Sequence, residues 1–439
     1  MKFYSINRKA PSATLREAVM NGLAPDGGLY MPERIPVIPK AFFNNISGMS
    51  IRDIAFVVAD LMLGSDIDSS DIREIVNDTF SFDIPLVRID KDIYSLELFH
   101  GPTLAFKDVG ARFLARVISR LSSRSESRMV KVLLATSGDS GGAVAAGFKD
   151  VPGVELFILY PSERLSRMQL DRLNVPGSQV HAIEVLGTFD DCQRLVKEAF
   201  ADVELRQEFD ITSANSINIC RLLPQMFYFF HAYASLVGSE GGFPDDVVVS
   251  VPSGNLGNLT AGLLAWRMGL PVTRFVVANN ANDVTVNYLL SGKFIPRRAV
   301  RTVACAMDVG NPSNLSRILD LFGSDYGPLS RFVKGYSYTD EDILGSMSRT
   351  YSADSYLLDP HGAAALAALR DDLRPGEKGI FLATAHPSKF PRAVSDATGV
   401  EFKVKDIQDS AHRSTHPRIS ASYEALKKIL MNENAQTVV

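Results

Sequence analysis

Cysteine is scarce in this sequence, and its three cysteines, Cys192, Cys220 and Cys305, lie far apart. An odd number without paired spacing argues against a disulfide framework and against a structural zinc site, so we expect no bound metal. The chain also lacks an apolar run of the roughly 20 residues that cross a bilayer. Its first residues have no signal-peptide apolar core, and we therefore expect a cytoplasmic protein with no membrane partner.

An excess of positive charge is also absent, since Lys and Arg total 46 against 50 Asp and Glu, and the formal net charge is −4. Proteins that bind nucleic acid present a basic face, so we expect no nucleic-acid partner. Hydrophobic residues make up 46% of the chain and charged residues 22%, which is typical of soluble globular proteins. A chain of 439 residues is too long for one ordinary core, and we expect two or three packed units.

Strand-like and helix-like segments alternate between about residues 130 and 285. Continuous apolar runs, such as residues 130–135 and 246–251, are typical of strands that are buried on both faces. The helical spacing between these runs indicates crossover helices. The pattern therefore predicts an α/β protein with parallel sheets covered on both faces.

The first 90 residues have a different pattern, with Pro- and Gly-rich turns and two amphipathic stretches near 50–63 and 70–80. We expect them to form a helical segment that packs on the main body. The residues beyond Glu401 are rich in charge, and we expect them to form a peripheral tail. The predicted organisation is an N-terminal helical segment at 1–90, an α/β domain at 91–240, and a second α/β domain with the tail at 241–439.

One lysine, Lys107, has unusual neighbours. It follows a Gly-Pro turn and the apolar run Leu104-Ala105-Phe106, and it precedes a segment of helical spacing from Asp108 to Leu121. We expect Lys107 to be partly buried at a loop-to-helix junction, where desolvation lowers the pKa of an amine and makes it a nucleophile towards carbonyl carbon. The alternative is a lysine whose stem covers apolar surface while its head reaches water.

Two loops that contain glycine follow predicted strands, Thr136-Ser137-Gly138-Asp139-Ser140-Gly141-Gly142 and Ser253-Gly254-Asn255-Leu256-Gly257-Asn258. Glycines at a strand end let backbone N–H groups converge on an anion at a helix N-terminus. Neither loop is a P-loop or a dinucleotide fingerprint, so each fits one phosphate monoester or a carboxylate. The alternative for each loop is a glycine that only permits a tight turn. A desolvated lysine together with a single-phosphate loop indicates pyridoxal phosphate.

These segments resemble the motifs of a known enzyme family. The segment from Glu97 to Gly110 is similar to the cofactor-lysine motif of the threonine synthase family, which belongs to the fold-type II, tryptophan-synthase-β-like, pyridoxal-phosphate enzymes. The two glycine loops resemble that family's substrate loop and cofactor-phosphate loop. Further matches stand in the same order along the chain, at Asp26–Pro32, Asn215–Asn218, Ala306–Asp308 and Thr384–Pro387.

The resemblance implies two open parallel-sheet α/β domains with the cofactor in the cleft between them. It implies that Lys107 binds pyridoxal 5'-phosphate covalently and that Thr384 lies beside the pyridine nitrogen. The residues implied to hold the cofactor phosphate are Gly254, Asn255, Leu256 and Asn258, and those implied to receive the substrate carboxylate are Thr136, Ser137, Gly138, Asp139 and Ser140. The sequence departs from the family pattern at Leu256, where Phe is usual, and at Ser140, where Thr is usual.

The implied reaction converts O-phospho-L-homoserine and water to L-threonine and phosphate, by γ-elimination of phosphate followed by β-addition of water. The substrate phosphate needs a second cationic pocket. Arg221 is the first candidate, since a guanidinium fork suits phosphate oxygens, with Lys389 and Arg112 behind it. The alternative for each is a structural ion pair. His100 and His386 adjoin the proposed site, as proton carriers or as packed, hydrogen-bonded side chains.

Two other functions stay open at this point. One is another lyase of the same fold type, such as a serine or threonine dehydratase. The other is a cofactor-binding homologue with little catalysis, although the presence of Lys107, Thr384 and both glycine loops argues against it. The resemblance further implies a small-molecule substrate and a monomer or small homo-oligomer.

Overall fold

The N-terminal segment contains a small sheet as well as helices. The computed structural model describes residues 1–123, 128–136, 138–162, 165, 167–175, 179–402 and 416–431. The elements of the N-terminal segment are β1 (Lys2–Ser5), β2 (Ala13–Thr14), α1 (Leu15–Asn21), β3 (Tyr30–Pro32), α2 (Lys40–Asn45), α3 (Ile51–Leu63) and α4 (Ser69–Thr79). Helices α3 and α4 confirm the two amphipathic stretches. The antiparallel sheet β2-β1-β3 corrects the purely helical prediction, because strands of two to four residues are too short to show alternation.

The next part of the chain alternates strands and helices as predicted. Its elements are β4 (Leu86–Arg88), β5 (Ile93–Glu97), α5 (Lys107–Ser123), β6 (Val130–Ala135), α6 (Asp139–Phe148), β7 (Val154–Pro161), α7 (Arg167–Leu173), β8 (Val180–Leu186), α8 (Phe189–Ala201), α9 (Val203–Glu208), β9 (Asp210–Ser213), α10 (Ile219–Leu222) and α11 (Gln225–Glu240). All six residues of β6 are buried, which explains its continuous apolar run.

The remaining elements continue this alternation, with longer loops between them. They are β10 (Val247–Pro252), α12 (Gly257–Arg267), β11 (Arg274–Asn279), α13 (Val284–Ser291), α14 (Leu315–Leu321), α15 (Tyr326–Phe332), β12 (Val333–Ser337), α16 (Asp340–Asp354), α17 (Pro360–Asp372), β13 (Lys378–Ala383), α18 (Pro391–Thr398), β14 (Arg418–Ser420) and α19 (Tyr423–Leu430).

Two parallel sheets form the body of the protein, which confirms the α/β fold class. The larger sheet has the order β12-β11-β10-β13-β5-β4, and only its edge strand β4 runs antiparallel to its neighbour. The smaller sheet has the order β14-β8-β7-β6-β9, and all its strands are parallel. Helix α5 begins beside the larger sheet and then packs on α6 and β7 of the smaller one.

The two sheets do not follow the sequence bounds that we predicted at 91–240 and 241–439. Strand β5 lies in the larger sheet although the strands that follow it, β6 to β9, build the smaller one, and β14 returns to the smaller sheet from the C-terminal part. The reason is that strand pairing is a long-range choice that local pattern does not reveal. The chain therefore passes from the larger sheet to the smaller one after β5, goes back to the larger sheet after β9, and returns to the smaller sheet at β14.

The C-terminal segment is packed rather than peripheral. Within residues 416–431, Ile419 pairs with Val185 of β8, and Leu426 and Leu430 of α19 are fully buried against the smaller sheet. The short length of β14 and the charged residues around it hid this packing in the sequence. Among the described residues, every helix is too short or too polar to traverse a bilayer.

The apolar core around helix α11 is rich in aromatic side chains. Phe227 and Phe229 of α11 are at most 2% exposed. Phe227 contacts Phe113 of α5 and Phe80 after α4, with ring centroids 5.6 and 6.1 Å apart. These contacts fix the N-terminal segment and α5 on one apolar layer, and α5 is the helix that carries Lys107.

Candidate active site

Three neighbouring parallel strands of the larger sheet end at the same edge. Ser250 of β10 pairs with Phe381 of β13, and Ala383 of β13 pairs with Glu97 of β5. The segments that follow these strands contain the second glycine loop, Thr384 and the loop to Lys107. In open parallel sheets, ligands bind in the crevice at the carboxyl ends of strands. The sheet therefore brings together three of the predicted site elements that lie far apart in sequence.

Lys107 is the first residue of α5 and is partly buried, as predicted. The backbone N–H of Phe106 donates to the carbonyl of Thr384 at 2.9 Å, and Ala105 forms an antiparallel bridge with Ala385. Thr384 is 6% exposed. These contacts place the lysine and the threonine on adjoining backbone segments.

The loop before Lys107 is held by the residue after it. The carboxylate of Asp108 accepts hydrogen bonds from the Thr103 backbone N–H at 2.9 Å and from the Thr103 hydroxyl at 2.5 Å. Burial raises the pKa of Asp108. Leu104 lies in the left-handed region, with φ of 58°, where a side chain costs roughly 1–2 kcal/mol. The hydrogen bonds of Asp108 therefore keep this loop closed and fix the start of α5, although Leu104 has a strained backbone conformation.

The second glycine loop presents an unusual set of donors. Among the described residues, none accepts a hydrogen bond from the backbone N–H groups of residues 254–258. Leu256 adopts φ of 61°, and Gly257 begins helix α12. Unpaired N–H groups at a helix N-terminus form a binding site for an anion. We call residues 253–258 the anion loop.

Side chains inside the anion loop stabilise its shape. The Asn258 side chain accepts a hydrogen bond from the Ser253 hydroxyl at 2.7 Å and donates to the Pro252 carbonyl at 2.8 Å. Asn279, at the end of β11, donates to the Ser253 carbonyl at 2.6 Å. The Oδ1 of Asn279 is buried and has no partner among the described residues. Asn258 therefore supports the loop through its side chain and offers an anion its backbone N–H.

Two further segments support the loop from behind. The Asn255 carbonyl accepts hydrogen bonds from the Asn314 backbone and side chain, at 3.3 and 3.0 Å. A Cβ atom on Gly254 would lie 2.9 Å from the Ala306 carbonyl oxygen and 3.0 Å from the Cα of Met307. The Ala306 N–H in turn donates to His361 Nε2 at 3.1 Å, and His361 Nδ1 lies 2.5 Å from an Asp359 oxygen. Only glycine fits at position 254.

The first glycine loop is closed by its own threonine. The Thr136 hydroxyl accepts hydrogen bonds from the backbone N–H groups of Gly138 and Gly141, at 3.2 and 3.1 Å. The structure therefore gives Thr136 a role in loop shape. Ser140 is partly exposed in the first turn of α6. Ser137 and the side chain of Asp139 lie outside the described part of the chain.

Arg221 is buried beside α5. Its side chain is 6% exposed, and Nη1 donates to the Ala214 carbonyl at 2.8 Å. Within the described residues, Arg221 makes no ion pair with a carboxylate, and burial lowers its pKa to about 10. A Cβ on Gly110, one helical turn after Lys107, would lie 2.9 Å from the Arg221 carbonyl oxygen. Arg221 is therefore a buried cation whose backbone packs against helix α5 at Gly110, the helix that begins at Lys107.

The other candidate cations and histidines are engaged in hydrogen bonds. Lys389 donates to the Thr103 carbonyl at 3.1 Å, and Arg112 donates to the Asp78 carbonyl and the Ser81 hydroxyl. His100 Nε2 lies 2.7 Å from a Glu97 oxygen. His386 Nδ1 accepts a hydrogen bond from the Ser388 N–H at 3.2 Å, and burial lowers the pKa of His386. These contacts favour structural roles over proton transfer.

Sequence reasoning missed the residues behind the anion loop. Asn279, Asn314 and Arg317 are at most 2% exposed and contact the loop directly or through each other. The segment Asn311-Pro312-Ser313-Asn314 carries a turn signal that marks a constrained loop. Nothing local links that turn to a loop some sixty residues earlier, because the link is a tertiary contact.

Comparison with known proteins identifies the class of enzyme. Residues 83–384 match the family model described as pyridoxal-phosphate dependent enzyme, and this match covers well over half of the chain. Residues 2–80 match threonine synthase N terminus, and residues 362–435 match threonine synthase, C-terminal. The molecule is thus an enzyme that depends on pyridoxal phosphate.

Individual relatives narrow this class. The chain is 40% identical to threonine synthase of Haemophilus influenzae, over 93% of this chain and 94% of the relative. It is 38% identical to that of Escherichia coli, over 98% of this chain and 100% of the relative. The crystal structure of threonine synthase from Brucella melitensis with bound pyridoxal phosphate superimposes with a TM-score of 0.90 and 32% identity, covering 99% of this chain and 100% of that one. The chain belongs to the threonine synthase family.

The anion loop fits the phosphate of this coenzyme. Its row of N–H donors has no acceptor in the described part of the chain, and the loop excludes a side chain at Gly254. Such a row suits a phosphate, which accepts several hydrogen bonds at once. Thr384 follows β13, the neighbour of β10, and Lys107 follows β5, the next strand in the same sheet, so all three segments lie at one edge of it. The residues present therefore fit the coenzyme that the family requires.

A glycine-to-alanine pair tests the anion loop. We expect Gly254→Ala to weaken pyridoxal phosphate binding strongly, because its Cβ would meet backbone atoms of Ala306 and Met307. Gly257→Ala is the matched control, since its Cβ would lie no closer than 3.6 Å to the Asn314 side chain. The coenzyme dissociation constant of each full-length variant, measured by absorbance, gives the comparison. Equal affinity of the two variants for pyridoxal phosphate would contradict the assignment of the anion loop as the coenzyme-phosphate site.

Proposed function

We propose that this enzyme converts O-phospho-L-homoserine and water into L-threonine and inorganic phosphate, with its coenzyme attached to Lys107. The observation that carries the proposal is the meeting of Lys107, Thr384 and the anion loop at one sheet edge, and the buried cation Arg221 lies on a segment that packs against helix α5 at Gly110. Bound pyridoxal phosphate supplies a conjugated system that takes up electrons from the substrate carbons. The protein's own residues supply binding, orientation and proton transfer.

Lys107 is the proposed proton carrier. Lys107 would hold the coenzyme in the resting enzyme, and during turnover its amine would move the protons at the substrate Cα and then at Cβ. The hydrogen bonds of Asp108 to Thr103 fix the start of α5, so the amine reaches the same place in every turnover. Thr384 would hold the pyridine side of the coenzyme with a neutral hydroxyl, which supplies no negative charge to keep a proton on the ring nitrogen.

Arg221 is the proposed partner of the substrate phosphate. A buried guanidinium with one backbone hydrogen bond retains donors for a dianion, and desolvation makes that attraction stronger than at a surface. The phosphate leaves from Cγ, and water adds at Cβ. The helix N-terminus of α6, with the hydroxyl of Ser140, is the proposed site of the substrate carboxylate. In this scheme Thr136 and Gly138 shape that loop.

The alternatives differ in one requirement. A serine or threonine dehydratase acts on an unphosphorylated amino acid, so it has no use for a second buried cation near the lysine. A homologue with little catalysis binds the coenzyme without turnover. Arg221 is a buried cation, and its backbone contacts α5 at Gly110, so it favours a substrate with a phosphate group. The sequence-based expectation of a cytoplasmic enzyme, active as a monomer or small homo-oligomer, completes the proposal.

Replacement of the lysine tests the reaction. We expect Lys107→Ala to abolish the release of phosphate and the formation of threonine from O-phospho-L-homoserine, since it removes both the attachment point and the base. In the unchanged enzyme, borohydride should fix the coenzyme on the peptide that contains Lys107, as found by mass spectrometry. Lys91→Ala, at an exposed turn, is the control. Coenzyme fixed on another lysine, or turnover of serine instead, would refute the assignment.

Replacement of the buried arginine tests the substrate phosphate. We expect Arg221→Met to lower kcat/KM for O-phospho-L-homoserine by about ten- to a hundredfold, the loss typical of a charge-assisted hydrogen bond. Affinity for pyridoxal phosphate should change little. Arg112→Met is the matched control, because that arginine already bonds to Asp78 and Ser81. A larger loss of kcat/KM in the Arg112 variant would indicate that Arg112, and not Arg221, binds the substrate phosphate.

A further inference from the structure

Arg317 of α14 is the largest fully buried side chain described, and it lies outside the predicted site. Its Nε and Nη2 donate to the Tyr30 carbonyl at 3.1 and 3.0 Å, and Nη2 also donates to the Ile217 carbonyl at 2.8 Å. Its Nη1 donates to Asn314 Oδ1 at 2.7 Å. Among the described residues, no carboxylate pairs with this guanidinium. A buried charge with only neutral partners is costly, so its retention calls for a physical reason.

The four hydrogen bonds join three separate parts of the chain. Tyr30 belongs to β3 of the N-terminal segment, and Ile217 lies in the loop that leads to Arg221. Asn314 precedes α14 and holds the anion loop through the Asn255 carbonyl. The N-terminal sheet is anchored to the same helix a second time, because Tyr4 and Arg8 both contact Asp320. A chain of three hydrogen bonds therefore connects the N-terminal segment to the anion loop. It runs from Tyr30 to Arg317, from Arg317 to Asn314, and from Asn314 to Asn255.

The hydrogen bond from Asn314 to the Asn255 carbonyl sets the direction of the Leu256 N–H in the anion loop. The Asn255 carbonyl and the Leu256 N–H belong to one planar trans peptide, so they point in opposite directions. With the carbonyl held towards Asn314, the Leu256 N–H points away from Asn314. That N–H is one of the donors that have no acceptor within the described segments, and Leu256 presents it in a left-handed conformation. The orientation of this peptide therefore depends on Asn314, and the orientation of Asn314 depends on Arg317.

We propose that Arg317 is a positioning residue for coenzyme-phosphate binding, which acts through Asn314 on the Asn255–Leu256 peptide and makes the N-terminal segment part of the coenzyme site. The proposal rests on the proposed role of residues 254–258 as the phosphate cradle. Its consequence is specific to the phosphate group. Loss of the Arg317 contacts should weaken the hold on phosphate and leave the rest of the coenzyme pocket in place.

Pyridoxal, which lacks the phosphate, is the discriminating ligand. Full-length Arg317→Met, Asn314→Asp and unchanged protein are each loaded with pyridoxal phosphate or with pyridoxal, and the two dissociation constants are measured by absorbance. We expect both variants to bind pyridoxal phosphate about tenfold or more weakly, the loss expected for a phosphate hydrogen bond, with pyridoxal binding little changed. Asn314→Asp guards against misfolding, because its carboxylate pairs with Arg317, while it loses the shorter, side-chain donor to the Asn255 carbonyl and keeps only the backbone N–H at 3.3 Å.

The outcomes separate this proposal from the one on which it rests. Unchanged affinity for pyridoxal phosphate in Asn314→Asp, or equal loss of both ligands in the two variants, overturns the positioning role. If Gly254→Ala discriminates against the phosphate and these variants do not, the anion loop stands and only the role of Arg317 falls. If Gly254→Ala does not discriminate either, the cradle itself is wrong.

Discussion

The peptide unit between Asn255 and Leu256 is the constraint on which the site depends. Its carbonyl is bound by Asn314, and its N–H is left for a ligand. A phosphate held by backbone N–H groups gains affinity only if those groups are fixed before it arrives, since each loose peptide would lose entropy on binding. The supports from Asn279, Asn314 and the turn at Ala306 provide this order. The anion loop is therefore as much a product of the residues behind it as of its own glycines.

The lysine loop follows the same principle. Leu104 before Lys107 and Leu256 in the anion loop both adopt the left-handed region, and each is held there by hydrogen bonds from other segments. Local strain of this kind persists only where the surroundings impose it, and it is concentrated at functional sites. In this fold, the parallel strands β5, β13 and β10 impose these backbone conformations. The strands end at one edge of the sheet and so restrict the loops that follow them. Chemistry at Lys107 and anion binding at residues 254–258 are thus set by one sheet.

Local pattern was sufficient for some of these features. The Gly-Pro turn before Lys107 and the glycines after two apolar runs predicted the lysine at a loop-to-helix junction and two loops at strand ends. The buried strands also stood out, because a continuous apolar run needs no partner to be recognised. Each of these features is written within about ten residues of sequence.

The rest depends on contacts between distant segments. Arg317 bonds to Tyr30, 287 positions away, and the pairing of β14 with β8 joins residues more than 200 apart. No periodicity records such contacts, so the N-terminal sheet, the packed C-terminal helix and the supports of the anion loop were all missed. Arg317 bonds mostly to backbone carbonyls, which any sequence supplies, so its residue type alone gave no indication of its partners.

Hydrogen exchange of the backbone amides tests the central claim most directly. Peptides that cover residues 253–260 of the full-length enzyme can be followed by mass spectrometry with and without pyridoxal phosphate, and with pyridoxal as the reference. The account predicts strong protection of this segment by pyridoxal phosphate and weak protection by pyridoxal, because the N–H groups bond to the phosphate. Equal exchange with either ligand would show that these amides do not hold it.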